Sequence, residues 1–332
     1  MSKANKLLAL LEMNKSIGLT QVSIQRLLGI SKSYCSELLK TLEKNGLVIR
    51  VPGAGNSKSV VLAKYFTGPV PALIRVGLLQ STEYLPILKV IRDYYGNRNI
   101  EVLAQYYKNT RTLLNDASAG SLDIFLAPVT TLVLGGLVLQ NIKVSSGIAS
   151  GGSGIFVNRE ASNRKVLMSE SSSMSRFVGL ADLGAEGTIG FSDPSEGVRR
   201  FTEGEAKYIA IWEPFATHLR KRGYELAASY SAVLDDDSCC ALGYSASNFR
   251  GRDQQILEIV KIYSDRCTNK VQAFYSDQDL RILCEVTGIS QSRVEASLSN
   301  YSFRARKLQY QEMRKYGFFL TEEQFGSIVG FA

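Results

Sequence analysis

Apolar positions near the start of the chain recur at helical spacing. Leu7, Leu8, Leu10 and Leu11 make one apolar face and predict a helix over 4–13. Thr20 ahead of 21–28, with Gly29 behind it, predicts a second helix, capped by a hydroxyl and stopped by a glycine. Ser31 caps a third helix running to about Asn45, with Cys35, Leu38 or Leu39, and Leu42 facing inward. Lys32, Ser33, Ser36 and Lys40 then face outward, and Tyr34 shares that first turn. Two β-like runs, 47–51 and 59–63, flank a glycine-rich tip at 52–58 and predict a hairpin bearing Arg50, Asn56 and Lys58.

After residue 66 the pattern changes. Gly68, Pro69 and Pro71 mark a linker around 67–73. Strand-like runs at 74–80, 100–107 and 122–127 alternate with helical runs at 82–95 and 110–119. A Gly/Ser-rich stretch, 145–154, leads into a strand at 155–157. A second series follows, with strands at 166–169, 188–191 and 208–211 and helices at 173–183, 194–201 and 215–222. Alternation of this kind predicts an α/β fold with mainly parallel sheets. Two series joined by glycine-rich crossovers predict two lobes around a cleft. The body is thus expected over 74–332. The most apolar run, 124–139, holds Pro128, Gly135 and Gly136 and is shorter than the roughly 20 residues of a membrane helix, so it reads as a buried strand and helix.

Charge sharpens this division. Residues 1–66 carry ten basic against three acidic side chains, which leaves +7 of the chain's net +8. A basic end with an exposed, capped third helix suits entry into the major groove of double-stranded DNA, and the hairpin tip suits the flanking phosphates. Lys32, Ser33, Tyr34, Ser36, Lys40, Arg50, Asn56 and Lys58 are the candidate DNA contacts. The five cysteines include no Cys-x-x-Cys pair, and the N-terminus reads as an amphipathic helix rather than a secretory signal; both predict a reduced, cytoplasmic protein.

In the body, ligand candidates sit at predicted strand ends. Gln80, Ser81, Thr82 and Tyr84 follow the first strand, and Thr130 and Thr131 follow the third. Ser171, Ser172, Ser173 and Arg176 precede a second-lobe helix, where hydroxyls serve either as helix caps or as anion ligands. Trp212 and Glu213 end an apolar strand and read as a stacking ring and a ligand carboxylate. Asp193 before Pro194 reads as a helix cap. Asp235-Asp236-Asp237 reads as a solvated turn and Cys239-Cys240 as two small residues near a strand end, so neither metal nor cofactor is expected.

Two resemblances add to this reading. Leu19-Thr20, Leu27-Leu28-Gly29-Ile30-Ser31, Ser36, Leu39, Leu42 and Gly46-Leu47-Val48 resemble the winged-helix regulators of bacteria and archaea. Gly120-Ser121-Leu122-Asp123-Ile124 and Tyr208-Ile209-Ala210-Ile211-Trp212-Glu213-Pro214-Phe215-Ala216 resemble the periplasmic substrate-binding proteins for nitrate, sulfonates and thiamine precursors. The tail segments 285–290, 294–298 and 316–318 extend that match. The resemblance implies a two-lobed type II periplasmic-binding-protein fold whose second-lobe serine loop holds ligand. The added winged helix points to regulation rather than transport. Together these predict a transcription regulator that responds to a small-molecule effector, a homodimer if its DNA site is palindromic. The alternative is a cytosolic enzyme on the same fold, similar to the thiamine pyrimidine-precursor synthases. It would need a cofactor lysine and His218, the single histidine, facing the cleft.

Overall fold

The computed structural model describes residues 2–14, 18–52, 58–139, 141–170, 172–235, 237–268, 275–315 and 319–330. Helices Lys3–Met13, Gln21–Leu28 and Lys32–Lys44 form where local chemistry places them. Thr20 Oγ1 accepts from Ser23 N at 3.1 Å and Ser31 Oγ from Tyr34 N at 3.2 Å. Each such cap is worth about 1 kcal/mol. Gly29 ends the second helix at φ +59°, a left-handed conformation that glycine adopts without strain. Leu7, Leu11, Ile24, Leu28, Cys35, Leu39 and Leu42 close into one core beneath the sheet Leu19–Thr20, Lys58–Leu62, Val48–Pro52. Helix, helix, helix and two-stranded wing are therefore in the predicted order.

The expected linker is docked rather than free. Arg75, 2% exposed on strand Leu73–Leu79, donates to the carbonyls of Phe66, Gly68 and Gly120 and forms an ion pair with Asp123 at 3.0 Å. Gly68 N donates to Gly120 O at 2.9 Å. Ala63, Val70 and Leu73 form a small apolar seam with Ile49 of the wing and Leu103 of the body. The basic end is thus joined to the first lobe by apolar packing as well as by the chain.

Among the described residues the first lobe holds six strands in the order Tyr301–Arg306, Ile142–Gly151, Cys240–Ser245, Ile124–Pro128, Leu73–Leu79, Glu101–Tyr107. The second holds five, Gly187–Phe191, Lys165–Ser169, Tyr208–Trp212, Ser153–Val157, Glu225–Ser229. Both sheets are mixed, not mainly parallel. Leu73–Leu79 runs parallel to both neighbours, and Lys165–Ser169 does the same in the second lobe. The remaining pairs in both sheets are antiparallel. The reason lies in the crossovers: strands that run straight from one lobe into the other enter each sheet against the βα direction.

The Gly/Ser-rich stretch is itself mostly strand. Its small residues fit tight packing: a Cβ on Gly147 would lie 2.2 Å from Ser238 Oγ. Only Gly151-Gly152 turns between lobes. Gly152 has φ +66°, and a Cβ there would lie 1.9 Å from the Tyr301 ring. The predicted helix over 82–95 starts instead as a single tight turn, Thr82–Tyr84, before Leu85–Gly96, and the helix over 173–183 shortens to Met174–Leu180. Among the described residues no helix is long and apolar enough to cross a membrane; the run 124–139 forms Ile124–Pro128 and Val129–Val138.

Candidate functional site

Lys32–Lys44 carries Lys32, Ser36 and Lys40 at four-residue intervals in a stripe beside the buried Cys35, Leu39 and Leu42. Lys32, Ser33, Tyr34 and Lys40 are exposed and Ser36 is half-buried. Lys58 is exposed at the edge of the wing, and Asn56 lies outside the described residues. Arg50 departs from expectation. It is largely covered, lies 3.1 Å from Glu43, and its charge opposes the rise that burial gives the Cys35 thiol pKa. Glu43 neutralises it, and it is not on the exposed face. Lys64 is likewise paired with Glu12 at 2.9 Å. Arg26 and Lys44, which sequence reasoning passed over, are exposed and have no ion pair among the described residues.

Among the described residues the cleft between the lobes includes an inner and an outer chamber, with a further pocket lined by Asn109, Arg111, Ser169, Glu170 and Ser192. The inner chamber, about 30 Å³, is lined by Ser81, Tyr84, Ser153, Ser169, Ser173 and Trp212, with Glu83, Cys239 and Cys240 at its floor. The outer chamber, about 380 Å³, is lined by Thr110, Arg111, Asn115, Thr130 and Thr131 from the first lobe and Glu170, Ser172, Ser173, Ser175 and Arg176 from the second, so one carboxylate stands in it beside the two guanidinium groups. Leu114, Leu134 and Leu139 supply an apolar wall. Arg111 and Arg176 are exposed and form no ion pair among the described residues, and Thr130 Oγ1 is buried without a hydrogen-bond partner.

The predicted ligand residues divide accordingly. Ser81, Tyr84, Thr130, Thr131, Ser172, Ser173, Arg176 and Trp212 border the cleft. Ser171 lies outside the described residues. Trp212 Nε1 donates to Gln80 O at 3.0 Å, which holds the indole against the inner chamber. Gln80 and Thr82 are buried behind it, Gln80 donating to Val286 O and Thr82 accepting from Ser297.

Glu213 requires correction. Its carboxylate accepts from Thr217 N at 2.7 Å, Thr217 Oγ1 at 3.0 Å and Asn300 Nδ2 at 2.8 Å, with Arg220 at 3.6 Å. It borders neither chamber. It ties the start of Phe215–Lys221 to the Asn300–Tyr301 crossover, and its backbone N–H donates to Gly152 O at the other crossover. Burial raises its pKa above the usual carboxylate value, against the hydrogen bonds from Thr217. The ligand expectation failed because the Trp-Glu-Pro-Phe run places a carboxylate beside the cleft, but Asn300, distant in sequence, turns it away.

Other residues fall as follows. Asp193 caps Pro194–Thr202 as predicted, accepting from Ser195 N at 2.9 Å. Asp237 is buried 3.9 Å from Arg306 rather than in a solvated turn, and Asp236 lies outside the described residues. His218 stands 3.1 Å from Arg293, away from both chambers, and burial followed by Arg293 lowers its pKa. The histidine that the enzyme reading needs is therefore not in the cleft. Residues missed include Lys108, Thr110, Arg111 and Asn115 at and after the end of Glu101–Tyr107, Ser153, and Glu83, Cys239 and Cys240.

Residues 4–60 match the MarR family. No curated protein matches the chain significantly. Among solved structures the body is similar to the alkanesulfonate-binding protein of Xanthomonas axonopodis pv. citri bound to MOPS, at 14% identity and TM-score 0.58, over 74% of this chain and 90% of that one. It is also similar to the periplasmic aliphatic sulphonate-binding protein of Escherichia coli (13%, TM-score 0.58, 75% and 87%). The periplasmic nitrate-binding protein of Synechocystis PCC 6803 shares the fold too (14%, TM-score 0.54, 70% and 71%). The chain thus joins a MarR-type winged-helix region to a body with the periplasmic-binding-protein fold.

Proposed function

We propose that this chain is a ligand-responsive transcription regulator. It binds operator DNA through the face of Lys32–Lys44 and senses a small organic anion between the lobes of its body. The observation that carries the sensing half is the outer chamber: Arg111 from one lobe and Arg176 from the other line one space, beside an unpartnered Thr130 hydroxyl. Guanidinium groups recognise oxyanions through paired N–H donors, so an anion here gains contacts from both lobes only when they are close. Leu114, Leu134 and Leu139 suit an apolar tail. A sulfonate therefore fits better than nitrate, and a neutral pyrimidine precursor would leave both guanidinium groups unmatched.

An effector shifts an equilibrium only by binding one state better than the other. The docked linker supplies a route to the DNA end, because the wing packs on the same first lobe that carries Arg111. Two copies on a palindromic site would convert a change at that seam into a change in helix spacing.

A thermal-shift screen of the whole chain against alkanesulfonates, nitrate and thiamine precursors tests this. Ligand at a hundredfold excess over Kd stabilises by about 2.7 kcal/mol. A sulfonate shift that Arg111→Ala and Arg176→Ala each abolish supports the reading. A shift that survives both substitutions contradicts it.

A further inference from the structure

At the floor of the inner chamber, Glu83, Cys239 and Cys240 bring a carboxylate oxygen and two sulfurs within 4.8 Å of one another, all buried. Cys240 Sγ lies 3.0 Å from Glu83 Oε1 and Cys239 Sγ 3.2 Å from Glu83 Oε2. Successive residues of a regular strand point to opposite faces. Here Cys239 lies in a bend just before the strand Cys240–Ser245, so the alternation does not bind it, and both sulfurs reach one carboxylate. Thr82–Tyr84, the tight turn ahead of Leu85–Gly96, delivers Glu83 from the other side.

A buried carboxylate is ordinarily paired with a cation or coordinates one. Glu83 forms no ion pair with Lys or Arg among the described residues; thiols and hydroxyls surround it. Two sulfurs and a carboxylate oxygen are the donor set of a borderline-soft cation rather than of calcium or magnesium. Tetrahedral zinc, with about 2.3 Å to sulfur and about 2.1 Å to oxygen, separates neighbouring donors by roughly 3.6 Å. The three donor atoms all lie within 4.8 Å of one another, so each pair reaches that spacing by a change of about 1.2 Å or less. The adjoining space of about 30 Å³ has room for a water or one ligand atom and little more.

We propose that Glu83, Cys239 and Cys240 bind a single zinc-like thiophilic cation whose fourth position opens into the cleft. Binding releases the two thiol protons to solvent. Facing that fourth position are Ser153, Ser169 and Ser173 of the second lobe, so a ligand atom on the metal would meet donors from across the cleft. The cation site is independent of whether the effector is an anion, since neither Arg111 nor Arg176 lines the inner chamber.

The test titrates the reduced full chain with cobalt(II) and then zinc(II). The expected result is one cobalt per chain with a thiolate-to-cobalt charge-transfer absorption, displaced by one equivalent of zinc. Cys239→Ala and Cys240→Ala should each remove or halve that absorption, while Cys284→Ala keeps it. Glu83→Gln should weaken zinc binding at least about tenfold with the charge-transfer band retained. Absence of the band in the wild-type chain at stoichiometric cobalt overturns the proposal whether or not the cysteine variants fold. So does a full-strength band in a Cys239→Ala/Cys240→Ala double variant.

Discussion

Lys108 Nζ of the first lobe lies 2.6 Å from Asp193 Oδ2 of the second, across the mouth of the cleft. Lys108 follows strand Glu101–Tyr107, and Asp193 is fixed as the cap of Pro194–Thr202. The pair is exposed on the lysine side, so its Coulomb attraction is screened and salt-sensitive. Lys108→Ala should leave the fold intact and weaken effector binding a few-fold, measured by calorimetry at low salt. The difference from wild type should shrink as salt is raised. An unchanged affinity at low salt would show that the pair plays no part in lobe closure.

Lys32, Lys40 and Lys58 are exposed with no ion pair among the described residues, whereas Arg50 is paired with Glu43. Removing one lysine–phosphate interaction lowers the slope of log K against log salt by about 0.9. Lys32→Ala and Lys40→Ala should each reduce the slope of DNA binding by roughly one, measured by fluorescence anisotropy. Arg50→Ala should lower thermal stability and leave that slope unaltered.

Arg75 and Asp123 are both 2% exposed and hold the linker carbonyls against the body. Removing one partner of such a pair strands a buried charge. Asp123→Ala should destabilise the body by about 3–5 kcal/mol, read from urea unfolding. A loss below about 1 kcal/mol, the range of exposed pairs, would mean that water replaces the partner.

Glu213 titrates in the folded chain above its ordinary value, because burial outweighs its hydrogen bonds. A raised folded-state pKa means that the native state holds the proton more tightly. Its stabilising contribution is complete below the unfolded carboxylate value and is lost as pH rises through the folded one. Thermal midpoints from pH 4 upward should therefore show a decline that Glu213→Gln flattens. A decline of the same size in that variant would assign it to other groups. Glu213→Ala, which leaves Thr217 N without its acceptor and Asn300 Nδ2 with Thr217 Oγ1 alone, should cost about 1–3 kcal/mol.

Local chemistry made the N-terminal domain legible. Thr20, Ser31 and Gly29 act within four residues of themselves, and Cys35, Leu39 and Leu42 are buried because helical spacing requires it. The alternation of the body likewise gave two lobes. What a sequence pattern does not carry is the partner from a distant segment. Asn300 holds the Glu213 carboxylate, and Glu43 pairs with Arg50. Cys239-Cys240 reads as two small residues until Glu83, more than 150 positions earlier, is brought against both sulfurs. Arg111 reads as a solvated helix position until the second lobe brings Arg176 to the same chamber.

The decisive measurement is anisotropy of duplex DNA, selected by the protein from a random pool, titrated with the full chain with and without a saturating alkanesulfonate across a range of salt. Log K should fall linearly with log salt. Sulfonate should change the affinity at every salt, and Arg111→Ala and Arg176→Ala should abolish that change while sulfonate-free binding persists. Affinity that ignores salt, or sulfonate binding that leaves DNA affinity unmoved, would contradict a sulfonate-responsive regulator.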